Sequence, residues 1–186
     1  MEKQTVVKMR LMLFWKHYRL LIFFVVAKLI LQYLVVNPYY ELHRDEFLHL
    51  DQANHLAWGY ISVPPLTAAV SKLIFLLGGS LFWVRFFPAL FGAVTIIFAW
   101  MITEAIGGRT MAKIVVSLAI LFSVYARLNI LFQPNSFDIL VWTASFYMLI
   151  QFLKANNKKW LLYLALALAI GFYNKYTVVF QLISCK

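Results

Sequence analysis

Cysteine is almost missing from this chain: Cys185 is the only one among 186 residues. A lone cysteine excludes an intramolecular disulfide and offers none of the paired spacings of a thiolate metal site. Charge is scarce too, at 13% of residues, and it is lopsided. Seven Asp and Glu face 17 Lys and Arg, for a net charge of +10. A basic balance can signal nucleic acid, but that reading needs a basic stripe on a soluble fold. Here the basic residues sit at the ends of apolar segments, so nucleic acid is not an expected partner. No small-residue cleavage site follows the first apolar run, so the N-terminus reads as an uncleaved signal anchor. There is no internal repeat and no low-complexity segment.

Apolar residues fill the space that charge leaves. They make up 63% of the chain, with aromatics at 18%, whereas soluble domains hold about 45–50% apolar residues. The composition is that of a polytopic membrane protein. A membrane-spanning helix needs about 20 apolar residues. Leu20–Val36, Leu81–Thr103, Met111–Phe132, Phe137–Leu153 and the stretch from Trp160 onward qualify as five full spans. Leu66–Leu77 is too short; Pro64-Pro65 opens it and Gly78-Gly79 closes it. It reads as a helix lying in the membrane interface. After Asn174-Lys175 the run Tyr176–Ser184 suggests a turn followed by a truncated sixth span. The expected fold is an all-α transmembrane bundle, a single domain over 1–186, with interfacial amphipathic helices in a first outer loop over 39–80.

Charge placement sets the expected orientation. Lys3, Lys8, Arg10, Lys16 and Arg19 precede span one, Arg109 and Lys113 follow span two, and Lys154, Lys158 and Lys159 follow span four. With all three groups cytoplasmic, ten of the 17 basic residues lie inside, as the positive-inside rule favours. Counting Leu66–Leu77 as a span would put two of the groups outside. The N-terminus is therefore expected in the cytoplasm, and a bacterial inner membrane is the expected location. Glu41, Asp45, Glu46, Asp51 and Asp138 then gather on the outer side with Arg85, Arg127 and Lys175.

That gathering centres on a polar island, Tyr39 to Pro65, which holds four of the seven carboxylates and three of the four histidines. Carboxylates beside a membrane are costly to desolvate and are commonly functional. Asp45-Glu46 could supply a general base that takes a proton from an attacking hydroxyl or amine. The same pair also suits a helix start, with Asp as N-cap and Glu in the first turn. Phe47, Leu50, Ala53 and Ala57 follow at helical spacing, so an amphipathic helix is expected here. Asp45 with His49, and Asp51 with His55, are four apart on one helical face. Two such ligands can start a divalent metal site, which makes Asp45 and His49 weak metal candidates. His43 is the third histidine of the window.

Arg85, Arg127 and Lys175 want anionic partners at membrane depth. A lipid-linked phosphate is one; a structural ion pair with Asp138 or a glutamate is the other, as is snorkelling to head groups. Lys28, in the middle of span one, has no partner readable from the sequence. Gly59, Tyr60, Pro64 and Pro65 shape the loop, since each proline pushes the preceding residue to extended geometry. Trp58, Tyr60, Trp83 and Trp160 fit an interfacial aromatic belt better than sugar-stacking platforms.

These residues have a familiar order. Asp45-Glu46 after a first span, Gly59-Tyr60, Pro64-Pro65-Leu66, Arg85-Phe-Phe-Pro-Ala-Leu-Phe-Gly92, Gly107-Gly108-Arg109 with Ala112, Asp138, and Gly171 to Lys175 run through nearly the whole chain. The pattern resembles the polyprenyl-phosphate-dependent glycosyltransferases of the GT-C type, near the protein O-mannosyltransferases and the lipid A aminoarabinose transferases. The resemblance implies inverting transfer of a sugar from a lipid-linked phosphate donor to a glycan, lipid or protein acceptor on the outer face of the membrane. It assigns Asp45 as base, Asp138 as a second carboxylate, and Arg85 and Lys175 as donor-phosphate residues; Arg127, from its place in the chain, is a further candidate for the phosphate. Val63 stands where mannosyltransferases often carry His, and Leu48 where aminoarabinose enzymes carry Arg, so neither subfamily's substrate carries over. Members are longer, so the chain resembles their N-terminal part, expected to be inactive alone. A transporter or lipid- and cation-binding protein, or an inactive remnant, is the alternative. Transport predicts charge near the bilayer midplane, where only Lys28 lies.

Overall fold

The computed structural model describes residues 2–36, 42–61 and 63–180, with side chains from Tyr18 onward. Tyr39, Glu41, Cys185 and the 181–184 part of the expected sixth span lie outside the described residues. Among the described residues eight α-helices follow one another: α1 Glu2–Val35, α2 Arg44–Asp51, α3 Leu66–Leu76, α4 Leu81–Ala105, α5 Thr110–Phe122, α6 Tyr125–Leu128, α7 Pro134–Ala155 and α8 Lys159–Asn174. A 3-10 turn, Gln52–Asn54, extends α2. The expected all-α membrane bundle is what forms.

Among the described residues three helices are long and apolar enough to cross a membrane: the Tyr18–Val35 part of α1, α4 and α7. At about 1.5 Å per residue, helices of this size match a hydrocarbon core about 30 Å thick. The stretch 111–132, expected as one span, is not one helix. It stops at Ser123, which is extended, resumes for one turn in α6, and unwinds before Pro134. Ser123 Oγ accepts from the Tyr125 amide at 3.3 Å, and Pro134 holds Gln133 extended. The stretch from Trp160 forms the 16-residue α8, also shorter than a full span.

The interrupted segment is stable because its carbonyls find buried donors. Gln32 Nε2 of α1 donates to Ala126 O at 3.1 Å, Arg85 Nη1 of α4 to Ile130 O at 2.8 Å, and Ser136 Oγ of α7 to Leu128 O at 2.6 Å. Irregular backbone at membrane depth persists only where protein satisfies it in this way.

α4 is the central post. It packs on α1, α5 and α7, and α8 packs on α7. Leu21 and Phe24 of α1 meet Ile96 and Trp100 of α4 and Leu121 of α5 in one apolar core. Small residues set the closest approaches, as in membrane helix packing generally. A Cβ on Gly92 would lie 2.8 Å from Lys28 Cε and 2.2 Å from the Asn129 side chain. One on Gly171 would lie 2.6 Å from Val141, where α8 crosses α7. At one end of the bundle Lys113 Nζ bonds Glu104 at 2.7 Å and Lys154 donates to Ala105 O, so the basic loop residues share that end.

The other end is capped by α2, the 3-10 turn and α3, which pack on one another and against α4 and α8. α3 starts after Pro64-Pro65 and ends where Gly78 and Gly79 take φ of +102° and +65°. Left-handed φ at these positions favours glycine. Ser71 Oγ of α3 donates to His49 O at 2.8 Å. Thr67 Oγ1 of α3 donates to Asn174 Oδ1 of α8 at 3.4 Å, and Asn174 Nδ2 donates to Pro134 O at 2.9 Å. These bonds stitch the cap to α7 and α8, and the polar residues singled out above converge there.

Candidate functional site

Helix α2 does not begin at Asp45. His43 is the N-cap, and its ring Nδ1 accepts from the Asp45 amide at 3.3 Å. Glu46 closes the reciprocal bond by accepting from the His43 amide at 2.7 Å. This is a capping box, and it places Asp45 and Glu46 on the first turn rather than at the cap. Ala57, expected on the same helix, lies in the loop beyond it.

The box separates the two adjacent carboxylates. Glu46 turns inward and is fully buried. Arg85 Nη1 donates to its Oε1, and the Phe132 amide donates to the same oxygen at 2.7 Å. Arg85 itself is largely buried and also donates to Ile130 O. The Arg85 head group therefore joins α2, α4 and the irregular segment before α7. It has the ion-pair partner that the sequence offered as the alternative to a phosphate.

Asp45 turns the other way. Its side chain is 41% exposed, with His43 Nδ1 at 3.7 Å and Arg44 Nε at 3.5 Å. From the segment before α7, Gln133 Nε2 donates to Asp45 Oδ2 at 3.1 Å. Asp45 is thus held between two elements far apart in sequence while keeping a face open.

Asp138 and Lys175 come together nearby. Thr177 Oγ1 donates to both Asp138 oxygens at 3.2 Å, and Lys175 lies within electrostatic reach of the carboxylate. Lys175 Nζ donates to Asn135 Oδ1 at 2.8 Å. Arg127, expected as a buried cation, is exposed at the end of α6. Lys28 is buried beside Gly92, and its Nζ has no hydrogen-bond partner among the described residues. Gln133, Asn135 and Thr177 were not singled out from the sequence. The polar pair flanking Pro134 at a helix start is the signal that could have found the first two.

Among the loop residues, Tyr60 has a definite task. Its hydroxyl donates toward Gln52 O and His55 O, at 3.1 and 2.9 Å, and accepts from the Ala57 amide at 3.2 Å. A Cβ on Gly59 would meet nothing within 4 Å, so no steric need for glycine arises there. Among the described residues no group of three His, Cys, Asp or Glu side chains could hold a metal ion. His49 is buried, with Nδ1 3.4 Å from Gln52 Oε1.

Burial pushes the His49 imidazole below its ordinary value, against the opposing pull of Gln52, Asp45 and Glu46. The unfolded chain thus binds a proton more readily than the folded one. His49 then contributes stability that is present above about pH 6.5, the ordinary imidazole value, and that is lost as pH falls through the lower folded value. Thermal unfolding at pH 7.5 and 5.5 should show a lower midpoint at the acid pH. His49→Gln should shrink that difference; an unchanged difference would assign it to other groups.

Comparison with known proteins adds one match. The profile of the dolichyl-phosphate-mannose-protein mannosyltransferase family matches residues 62–185, well over half of the chain. The matched range holds Pro64, Pro65, Arg85, Arg127, Asp138 and Lys175; Asp45, Glu46, Gly59 and Tyr60 precede it. No curated protein and no solved structure matches.

Proposed function

Because the chain belongs to the dolichyl-phosphate-mannose-protein mannosyltransferase family, and so to the membrane glycosyltransferases of the GT-C type, we propose that it moves a sugar from a polyprenyl-phosphate donor to an acceptor, with Asp45 as general base. The observation that carries the reading is the split of the adjacent carboxylates. Glu46 is buried and committed to Arg85, whereas Asp45 is held by Gln133 yet open to a ligand. In the reaction an acceptor oxygen or nitrogen bonds to the anomeric carbon. The bond from that carbon to the phosphate oxygen breaks, and its electron pair leaves with the lipid phosphate. The acceptor proton passes to Asp45.

The leaving phosphate needs fixed positive charge. Lys175 and the exposed Arg127 supply it in this reading. Arg85 contributes through its field and by fixing Glu46, since turning to a phosphate would strand a buried carboxylate. Asp138 orients Lys175. The distribution of Lys and Arg supports a cytoplasmic N-terminus, with the α2 end of the bundle on the outer side.

Native membranes carrying the protein, given radiolabelled dolichyl-phosphate mannose, test the reading. Label should move from the lipid to a non-lipid or glycolipid fraction faster than in membranes lacking the protein. Equal rates would remove dolichyl-phosphate mannose as the donor.

A further inference from the structure

Asp45 and Lys175 are far apart in sequence, and the residues between them form an ordered path. Lys175 Nζ donates to Asn135 Oδ1 at 2.8 Å, Asn135 Nδ2 donates to Gln133 Oε1 at 3.2 Å, and Gln133 Nε2 donates to Asp45 Oδ2 at 3.1 Å. Every donor points the same way, from the cation toward the carboxylate. The ends enforce this sense. An ammonium can only donate and an ionised carboxylate can only accept, so each amide between them has one orientation that satisfies both neighbours. Hydrogen bonds aligned in this way polarise one another.

We propose that Gln133 and Asn135 are positioning residues that form a one-way relay, holding the Asp45 carboxylate aimed and tying it to Lys175. The proposal rests on the reading of Asp45 as base. The local fold builds the relay. Pro134 sets the first turn of α7, which puts Gln133 and Asn135 on either side of a rigid residue. At the Lys175 end, Asp138 is held by Thr177 within electrostatic reach of the ammonium, and the capping box holds the Asp45 end. Asp45, Gln133, Asn135 and Lys175 are all partly exposed, so a substrate crossing this end of the bundle would lie along the path.

The decisive variant is Asn135→Asp. It keeps an acceptor for Lys175 but cannot donate to Gln133. An Asn135 that merely anchors Lys175 would tolerate the change. A relay would not, because the last link to Asp45 loses its orientation. In native membranes assayed with radiolabelled dolichyl-phosphate mannose, turnover should fall at least about 10-fold, in the range expected for a misaligned catalytic group, with little change in KM for the donor. Gln133→Glu should do the same. Wild-type turnover in Asn135→Asp would overturn the proposal.

Thermal unfolding of Gln133→Ala, Asn135→Ala and the double variant supplies a readout that needs no turnover. A connected path predicts that the double variant loses no more than the worse single one; strictly additive losses overturn the relay. Wild-type membranes that move no label, combined with non-additive unfolding, would leave the relay standing and remove the donor assignment instead.

Discussion

Asp45→Asn should reduce sugar transfer by about 10²–10⁴-fold, the usual contribution of a positioned general base. The exchange is nearly isosteric. The new amide oxygen can still accept from Gln133 Nε2, the bond that spans 3.1 Å in the wild-type protein, so the loop and α2 should keep their places. Only the ability to take up a proton is lost. The side chain is 41% exposed, and substitutions at such positions change stability by only about 0.5 kcal/mol. Thermal unfolding of the variant should therefore overlay the wild type while turnover of dolichyl-phosphate mannose collapses. Near-normal turnover would remove Asp45 from the chemistry.

The adjacent residue should behave in the opposite manner. Glu46→Gln or Arg85→Met breaks a buried ion pair and leaves one charge uncompensated, at a cost of about 3–5 kcal/mol. The damage should spread, because Glu46 also receives the amides of His43 and Phe132 and Arg85 also serves Ile130 O. Unfolding midpoints in detergent should fall sharply for both single variants. The double variant should be less impaired than the two losses combined, since neither charge is then stranded. An Arg85→Met protein with a wild-type midpoint and a raised donor KM would instead make Arg85 a phosphate clamp.

Much of the architecture was legible in the chain itself. Pro64-Pro65 and Gly78-Gly79 bracket α3 as read from the sequence, and the long apolar runs of α4 and α7 are continuous helices. The break within 111–132 was not legible, because hydropathy measures composition. The interruption depends on which donors α1, α4 and α7 bring to Ala126, Leu128 and Ile130. The site divides in the same way. A cluster of carboxylates could be seen, and the charges of Asp138 and Lys175 could be placed together. The opposite fates of Asp45 and Glu46 could not, because they follow from a cap centred on His43, two residues before the expected one. Arg127 looked buried by its place in an apolar run, yet the run unwinds around it. Lys28 had no partner readable from the sequence, and the fold buries it beside Gly92 with no hydrogen bond to its Nζ among the described residues.

The interrupted α5–α6 segment has a further consequence, for biogenesis. Its 13-residue first helix reaches about 20 Å at 1.5 Å per residue, well short of a bilayer core. Left alone in lipid, its open carbonyls would have no donors. Gln32, Arg85 and Ser136 must already be in place to receive them, and these belong to the three helices long enough to insert on their own. Membrane integration should thus run in two waves, the long helices α1, α4 and α7 first and the α5–α6 segment folding into the scaffold they present. The carboxylate–arginine pin at Glu46 and Arg85 and the Gln133 bond to Asp45 both reach the segment between α6 and α7 or its carbonyls, so the surroundings of Asp45 are completed only once that segment has docked.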